Sequence, residues 1–87
     1  HMDTRVAVIA IIIENIEAVE TVNQLLYENR EYIIGRMGIP YKNKGISIIS
    51  IAIDAPQDVI STLSGKIGRL KGVSTKTAYS NVITKTE

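Results

Sequence analysis

Two stretches of this chain are apolar on both parities, which a small domain rarely affords. From Arg5 to Ile13 (RVAVIAIII), Val6, Val8, Ala10 and Ile12 fall on one side of an extended strand, and Ala7, Ile9, Ile11 and Ile13 on the other. Ile46 to Ile53 repeats the pattern, with Ser47, Ile49, Ile51 and Ile53 opposite Ile46, Ile48, Ser50 and Ala52. An antiparallel strand with one wet face carries polar residues there. Neither stretch does.

The segments between are of another kind. Asn15 is a good helix N-cap, with Glu17 and Glu20 in the first turns, where the helix dipole favours acids. Ala18, Val19, Val22, Leu25 and Leu26 then recur at helical spacing, and the pattern predicts an end near Asn29. Tyr32 is expected to open a strand through Ile33, Ile34 and Met37 that stops at Pro40; its Gly35, Gly38 and terminal proline suit a bulged edge strand. Tyr41-Lys42-Asn43-Lys44-Gly45 reads as the turn of a β-hairpin. After the second apolar strand, Asp54-Ala55-Pro56-Gln57 has the form of a helix start, with Asp54 as cap, and Val59, Ile60, Leu63 and Ile67 as the buried stripe. Gly72 is a turn residue, and Val73–Ser80 is a more polar strand that suits an edge; Val82 and Ile83 can extend it, and Lys85–Glu87 are expected to fray.

The order is βαββαβ. Right-handed crossovers then favour an α+β, ferredoxin-like sandwich: a four-stranded antiparallel sheet with both helices on one face and the two apolar strands in the middle. Helices cover one face of such a sheet, so the other would expose an apolar patch of several hundred Å², on the order of what monomers rarely tolerate. A second copy is the expected cover, giving a dimer or tetramer. Ile46, Ile48, Ile49 and Ile51 are the interface candidates, since the pattern leaves open which parity meets the helices.

Composition narrows the function. The 87 residues suit one domain over residues 3–84, with His1-Met2 read as the scar of a cleaved tag and Met2 as the native start. Hydrophobic residues make up 45% and charged residues 22%, as in a folded domain. There is no cysteine, and His1 is the one histidine, so neither a cofactor nor a Zn, Ni or Cu site is expected. Val6–Ile13 is too short to span a bilayer, so no membrane association and a cytoplasmic location are expected.

Residues 1–31 hold six acidic and two basic groups (net −4), and residues 32–87 hold three acidic and eight basic (net +5). Such asymmetry can mark a nucleic-acid-binding face. With an overall charge of +1, ordinary solvated surfaces explain it better. Gly65-Lys66-Ile67-Gly68 has the GXXG form of a KH loop, but it precedes a strand instead of joining two helices. The apolar strand Ile46–Ile53 also lacks an aromatic for base stacking.

Catalysis has little to stand on. The chain has no Ser–His or Cys–His pair and no glycine-rich P-loop. Nothing after the first strand resembles the phosphate-cradling loop of acylphosphatases, which share βαββαβ. Asp54 and Asp58 read as helix-start residues before they read as paired carboxylates. The best candidate for a binding loop is Arg36-Met37-Gly38-Ile39-Pro40-Tyr41: Arg36 offers a planar fork for a carboxylate or phosphate, and Gly38 permits close backbone approach. Asn15 could present helix N-terminal amides to an anion, although a plain cap explains it better.

Three runs carry a family resemblance: Gly35-Arg36-Met37-Gly38-Ile39-Pro40-Tyr41, Ile46-Ser47-Ile48-Ile49-Ser50, and Leu63 to Val73 (LSGKIGRLKGV). With them the chain resembles the family of regulators assigned to iron-only hydrogenase systems. That resemblance implies an ACT-like domain, related in fold to the C-terminal domain of the nickel-responsive repressor, acting as a regulatory oligomer. The repressor's His and Cys metal ligands and its ribbon-helix-helix segment are missing, so nickel sensing and DNA reading do not carry over. Amino-acid-binding ACT domains place a Gly shortly after an acidic or amide residue; Asn15 matches, but Ala18 stands where that Gly would be.

The expected function is therefore a non-catalytic regulatory module working as a homo-oligomer. A small anionic or amino-acid-like ligand is expected at a subunit interface near Asn15, Arg36, Gly38, Pro40 and Tyr41. An acylphosphatase-like enzyme using Arg36 and a nucleic-acid-binding module are the alternatives.

Overall fold

The odd-numbered residues of both apolar strands turn inward. In the computed structural model, which describes residues 3–85, the elements are β1 (Asp3–Ile13), α1 (Val19–Glu28), β2 (Ile33–Tyr41), β3 (Ile46–Ala55), α2 (Gln57–Gly68) and β4 (Val73–Lys85). Short 3-10 turns at Ile16–Ala18, Arg30–Tyr32 and Lys42–Lys44 join some of them. The sheet is antiparallel throughout, in the order β2-β3-β1-β4, so the two most apolar strands are central. This is the ferredoxin-like, ACT-like arrangement.

Ala7, Ile9, Ile11 and Ile13 of β1 and Ile49, Ile51, Ile53 and Ala55 of β3 form one buried cluster with Val22 and Leu26 of α1 and Ile60, Leu63 and Ile67 of α2. Each fully buried aliphatic side chain there contributes on the order of 1.5–3 kcal/mol. Register carries the same parity across the sheet: Ile9 pairs with Ile51, and Ile51 with Arg36, so Arg36, Gly38 and Pro40 of β2 share the helix side. Met37, Ile39 and Tyr41 alternate to the opposite side.

Ile49 and Ile51 are 5% and 0% exposed beneath the helices, so as interface candidates they are corrected to core residues. Ile46 and Ile48 lie on the uncovered face with Val6, Val8, Ala10 and Ile12. Val8 there is 42% exposed, against 0% for its neighbour Ile9.

The capping role read for Asp54 is also corrected. Asp54 stays in β3, paired with Val6, and α2 begins at Gln57 behind Pro56 with no side-chain cap. Ladder pairing of β3 with β1 through Ala55 outweighs the local capping signal. β2 starts at Ile33, one residue after the expected Tyr32, and runs to Tyr41; its bulge lies between Ile33 and Gly35. The last strand runs beyond Ser80 to Lys85, which pairs with Asp3 instead of fraying. His1-Met2 and the last two residues, Thr86 and Glu87, lie outside the described residues.

Two glycines adopt the left-handed conformation that suits them, Gly45 (φ 65°) closing the hairpin and Gly72 (φ 74°) before β4. A Cβ on Gly72 would stand 2.6 Å from that of Asn15, so the two loops at this end are in close contact. The Glu14 amide donates to the Gly72 carbonyl there at 2.7 Å.

Candidate functional site

A groove runs between α1 and the edge strand β2, and it exists because β2 sends so little bulk toward the helices. Its helix-side positions after Ile33 are Arg36, Gly38 and Pro40. A Cβ built on Gly38 would meet nothing within 4 Å, so the space above it is empty. Arg36 reaches across, its Nη2 donating to Asn23 Oδ1 of α1 at 2.9 Å. That bridge divides the groove in two.

On one side lies a hollow of about 220 Å³, lined among others by Val19, Asn23, Arg36, Gly38, Pro40 and Ile49. On the other lies a larger, shallow hollow of about 430 Å³ with Glu20, Gln24, Leu26, Tyr27 and Ile33 in its lining, and again Asn23 and Arg36. The smaller hollow has no acidic residue in its lining, and Ser47 supplies a hydroxyl.

Three of the five residues expected to bind a ligand are thus brought together, and two are not. Tyr41 points to the opposite face of the sheet, opposite Ile46, and is 43% exposed. Asn15 is occupied as a cap: its Oδ1 accepts from the Glu17 amide at 3.2 Å, and its Nδ2 donates to the Lys71 carbonyl at 3.5 Å. It lines neither hollow. Asn23, which the sequence reading passed over, completes the grip on Arg36. Its signal was an amide four residues after Val19 and three before Leu26, inside the apolar stripe of the helix.

The second notable surface is the uncovered sheet face. Val6, Val8, Met37, Ile39 and Tyr41 are exposed on it, with Ile12, Ile46 and Ile48 half-buried among them. Its charged members include Asp54 on β3 and Lys76 on β4, the latter paired with Ala10. Among the described residues, one oxygen of the Asp54 carboxylate, Oδ1, is buried without a hydrogen-bond partner.

Among the described residues no group of three or more His, Cys, Asp or Glu side chains could hold a metal ion. No helix among them is long and apolar enough to cross a membrane. What the groove offers is a fork of N–H donors, an amide, a hydroxyl and apolar walls.

A family model described as "TM1266-like: Iron-only hydrogenase system regulator, putative" matches residues 5–77. The chain belongs to the TM1266-like family. The match takes in both central strands, the groove strand β2 and both helices. Among solved structures, the TM1266-like chain resembles "uncharacterized protein TM1266 from Thermotoga maritima", with 32% identity over 87% of this chain and 96% of that one, and a TM-score of 0.83. It also resembles a formyltetrahydrofolate deformylase from Pseudomonas putida KT2440, with 14% identity over 88% of this chain and a TM-score of 0.65. That second likeness is one of fold, and the chain spans 29% of the deformylase's length. No curated protein matches the chain.

Proposed function

We propose that this chain is a non-catalytic cytoplasmic regulator of an iron-only hydrogenase system, working as a dimer or tetramer and answering to a small ligand held at Arg36, Gly38 and Pro40. The family description supports the regulatory role. The observation that carries the assembly is the uncovered sheet face, where both central strands and β2 expose aliphatic side chains that water disfavours.

A second copy suits this face better than an unrelated partner because its charges are self-complementary. Asp54 and Lys76 both stand on it. In an isologous two-fold contact, each copy brings one carboxylate and one ammonium against the other's. Residues Ile46 and Ile48 then belong to the interface, together with Val8, Ile12 and Ile39.

Native mass spectrometry tests the assembly. Wild type is expected as a dimer or tetramer. Val8→Lys or Ile48→Lys is expected as a folded monomer, with unchanged helical and strand content by circular dichroism. A monomeric wild type at micromolar concentration would refute the assembly.

A further inference from the structure

Resting on that regulatory reading, we infer that the smaller hollow of the α1–β2 groove is a binding site for a small aliphatic monocarboxylate, whose head group takes the place of Asn23 on the Arg36 guanidinium. Four observations meet there. Arg36 is the cation of the lining, and the partner that holds it, Asn23, is neutral. A carboxylate accepting two parallel N–H bonds from that fork forms a stronger, charge-assisted contact than an amide oxygen does.

The lining of this hollow lacks acids, whereas Glu20 borders the larger one beyond the Arg36–Asn23 bridge. An anion is therefore favoured on the smaller side. The space above Gly38 is vacant, and Val19, Pro40 and Ile49 bound the hollow with apolar surface suited to a short branched tail. The hollow, about 220 Å³, suits a small ligand.

The same lining argues against two neighbouring ligand classes. A free amino acid would bring an ammonium group that finds no carboxylate in the hollow. Inorganic phosphate would satisfy Arg36 but leave the apolar walls uncovered.

Binding of 3-methylbutanoate to the whole protein, followed by the shifts of its backbone amide resonances in NMR, tests this. The expected result is a saturating response centred on Val19, Asn23, Gly38 and Ser47, with a dissociation constant in the millimolar range. Valine, the ammonium-bearing counterpart, and 3-methylbutan-1-ol, the uncharged one, are each expected to bind about tenfold more weakly or worse. Arg36→Gln should weaken the carboxylate to the level of the alcohol. Gly38→Val, whose side chain has room to sit in the hollow, should abolish binding while the rest of the spectrum stays native.

The site is overturned if acid and alcohol bind alike, if Arg36→Gln leaves the affinity unchanged, or if valine or phosphate shifts the same amides at equal concentration. A response centred on other residues, or none, overturns it too. Native masses of the same samples separate the two readings. An intact oligomer that ignores 3-methylbutanoate removes the site alone, and a monomer that binds it removes the assembly alone.

Discussion

The two faces of the sheet are made from the same strands and nearly the same residue types, yet they have different fates. On the helix side, isoleucines from β1 and β3 close completely against α1 and α2, leaving Ile9, Ile11, Ile51 and Ile53 with no exposure worth the name. On the other side, Val8, Ile12, Ile39 and Ile48 are just as apolar and remain partly open. Hydrophobicity by itself therefore does not define a core. A face becomes core when the same chain supplies its cover, and here two amphipathic helices of 10 and 12 residues suffice for one face of a four-stranded sheet.

The sharpest way to break the comparison is to place a charge on each face in turn. Ile51→Lys puts an ammonium with no partner into a closed apolar cluster, and the chain is expected to be unfolded at room temperature by circular dichroism, a loss of several kcal/mol, on the order of the whole stability of a small domain. The same change at Val8 is expected to leave the melting temperature of the separated monomer nearly untouched. If the two variants unfolded alike, the faces would not differ as described.

Truncation grades the same contrast. Ile51→Ala should cost about 2–5 kcal/mol in urea denaturation, whereas Ile48→Ala, measured on the dissociated chain, should cost about 1 kcal/mol or less. Fit within the covered side can be sharpened with glycines. Gly72→Ala should cost about 2 kcal/mol, because it forces a side chain into the left-handed region and against Asn15.

Gly68→Ala is a milder probe. The new Cβ would lie 2.8 Å from Thr75 Oγ1, which is tied to the Ser64 carbonyl at 3.3 Å, so the hydroxyl cannot turn aside freely. A loss of about 1 kcal/mol is expected despite the better helix propensity of alanine. At Gly65 the nearest atom is the mobile tip of Arg69, 3.1 Å away, so Gly65→Ala should stabilise by about 0.5 kcal/mol. Thermal melts of the pair check both signs.

Most of the fold was legible because local signals agreed with one another. Period-2 runs, a helical stripe beginning after Asn15 and a polar hairpin turn all pointed to βαββαβ, and the central placement of β1 and β3 followed from their lack of polar residues. The orientation of the faces was not legible, for a physical reason. Ile49 and Ile48 are interchangeable in a pattern where both parities are apolar, and only the packing of α1 and α2 distinguishes them.

The false helix start at Asp54 has a related cause. Capping chemistry is read from a few adjacent residues, but pairing of Asp54 with Val6 depends on a strand nearly fifty positions away. For the candidate site, Arg36, Gly38 and Pro40 could be grouped from sequence because alternate strand positions share a side. Asn23 could not be joined to them, since that needs the distance between a helix and an edge strand. Asn15 and Tyr41, near in sequence logic, part company in space for the same reason.

One consequence follows from the alternation of β2, which gives Arg36, Gly38 and Pro40 to the groove and Met37, Ile39 and Tyr41 to the open face. A single ribbon of backbone, bulged at Ile33–Gly35 and bordered by a free edge, thus lines both the groove and the open face. Whatever factor a groove ligand applies to the association constant of the subunits, association must return to the affinity for that ligand. Under the proposed assembly and groove ligand, β2 is the strand through which ligand concentration and degree of assembly would be linked.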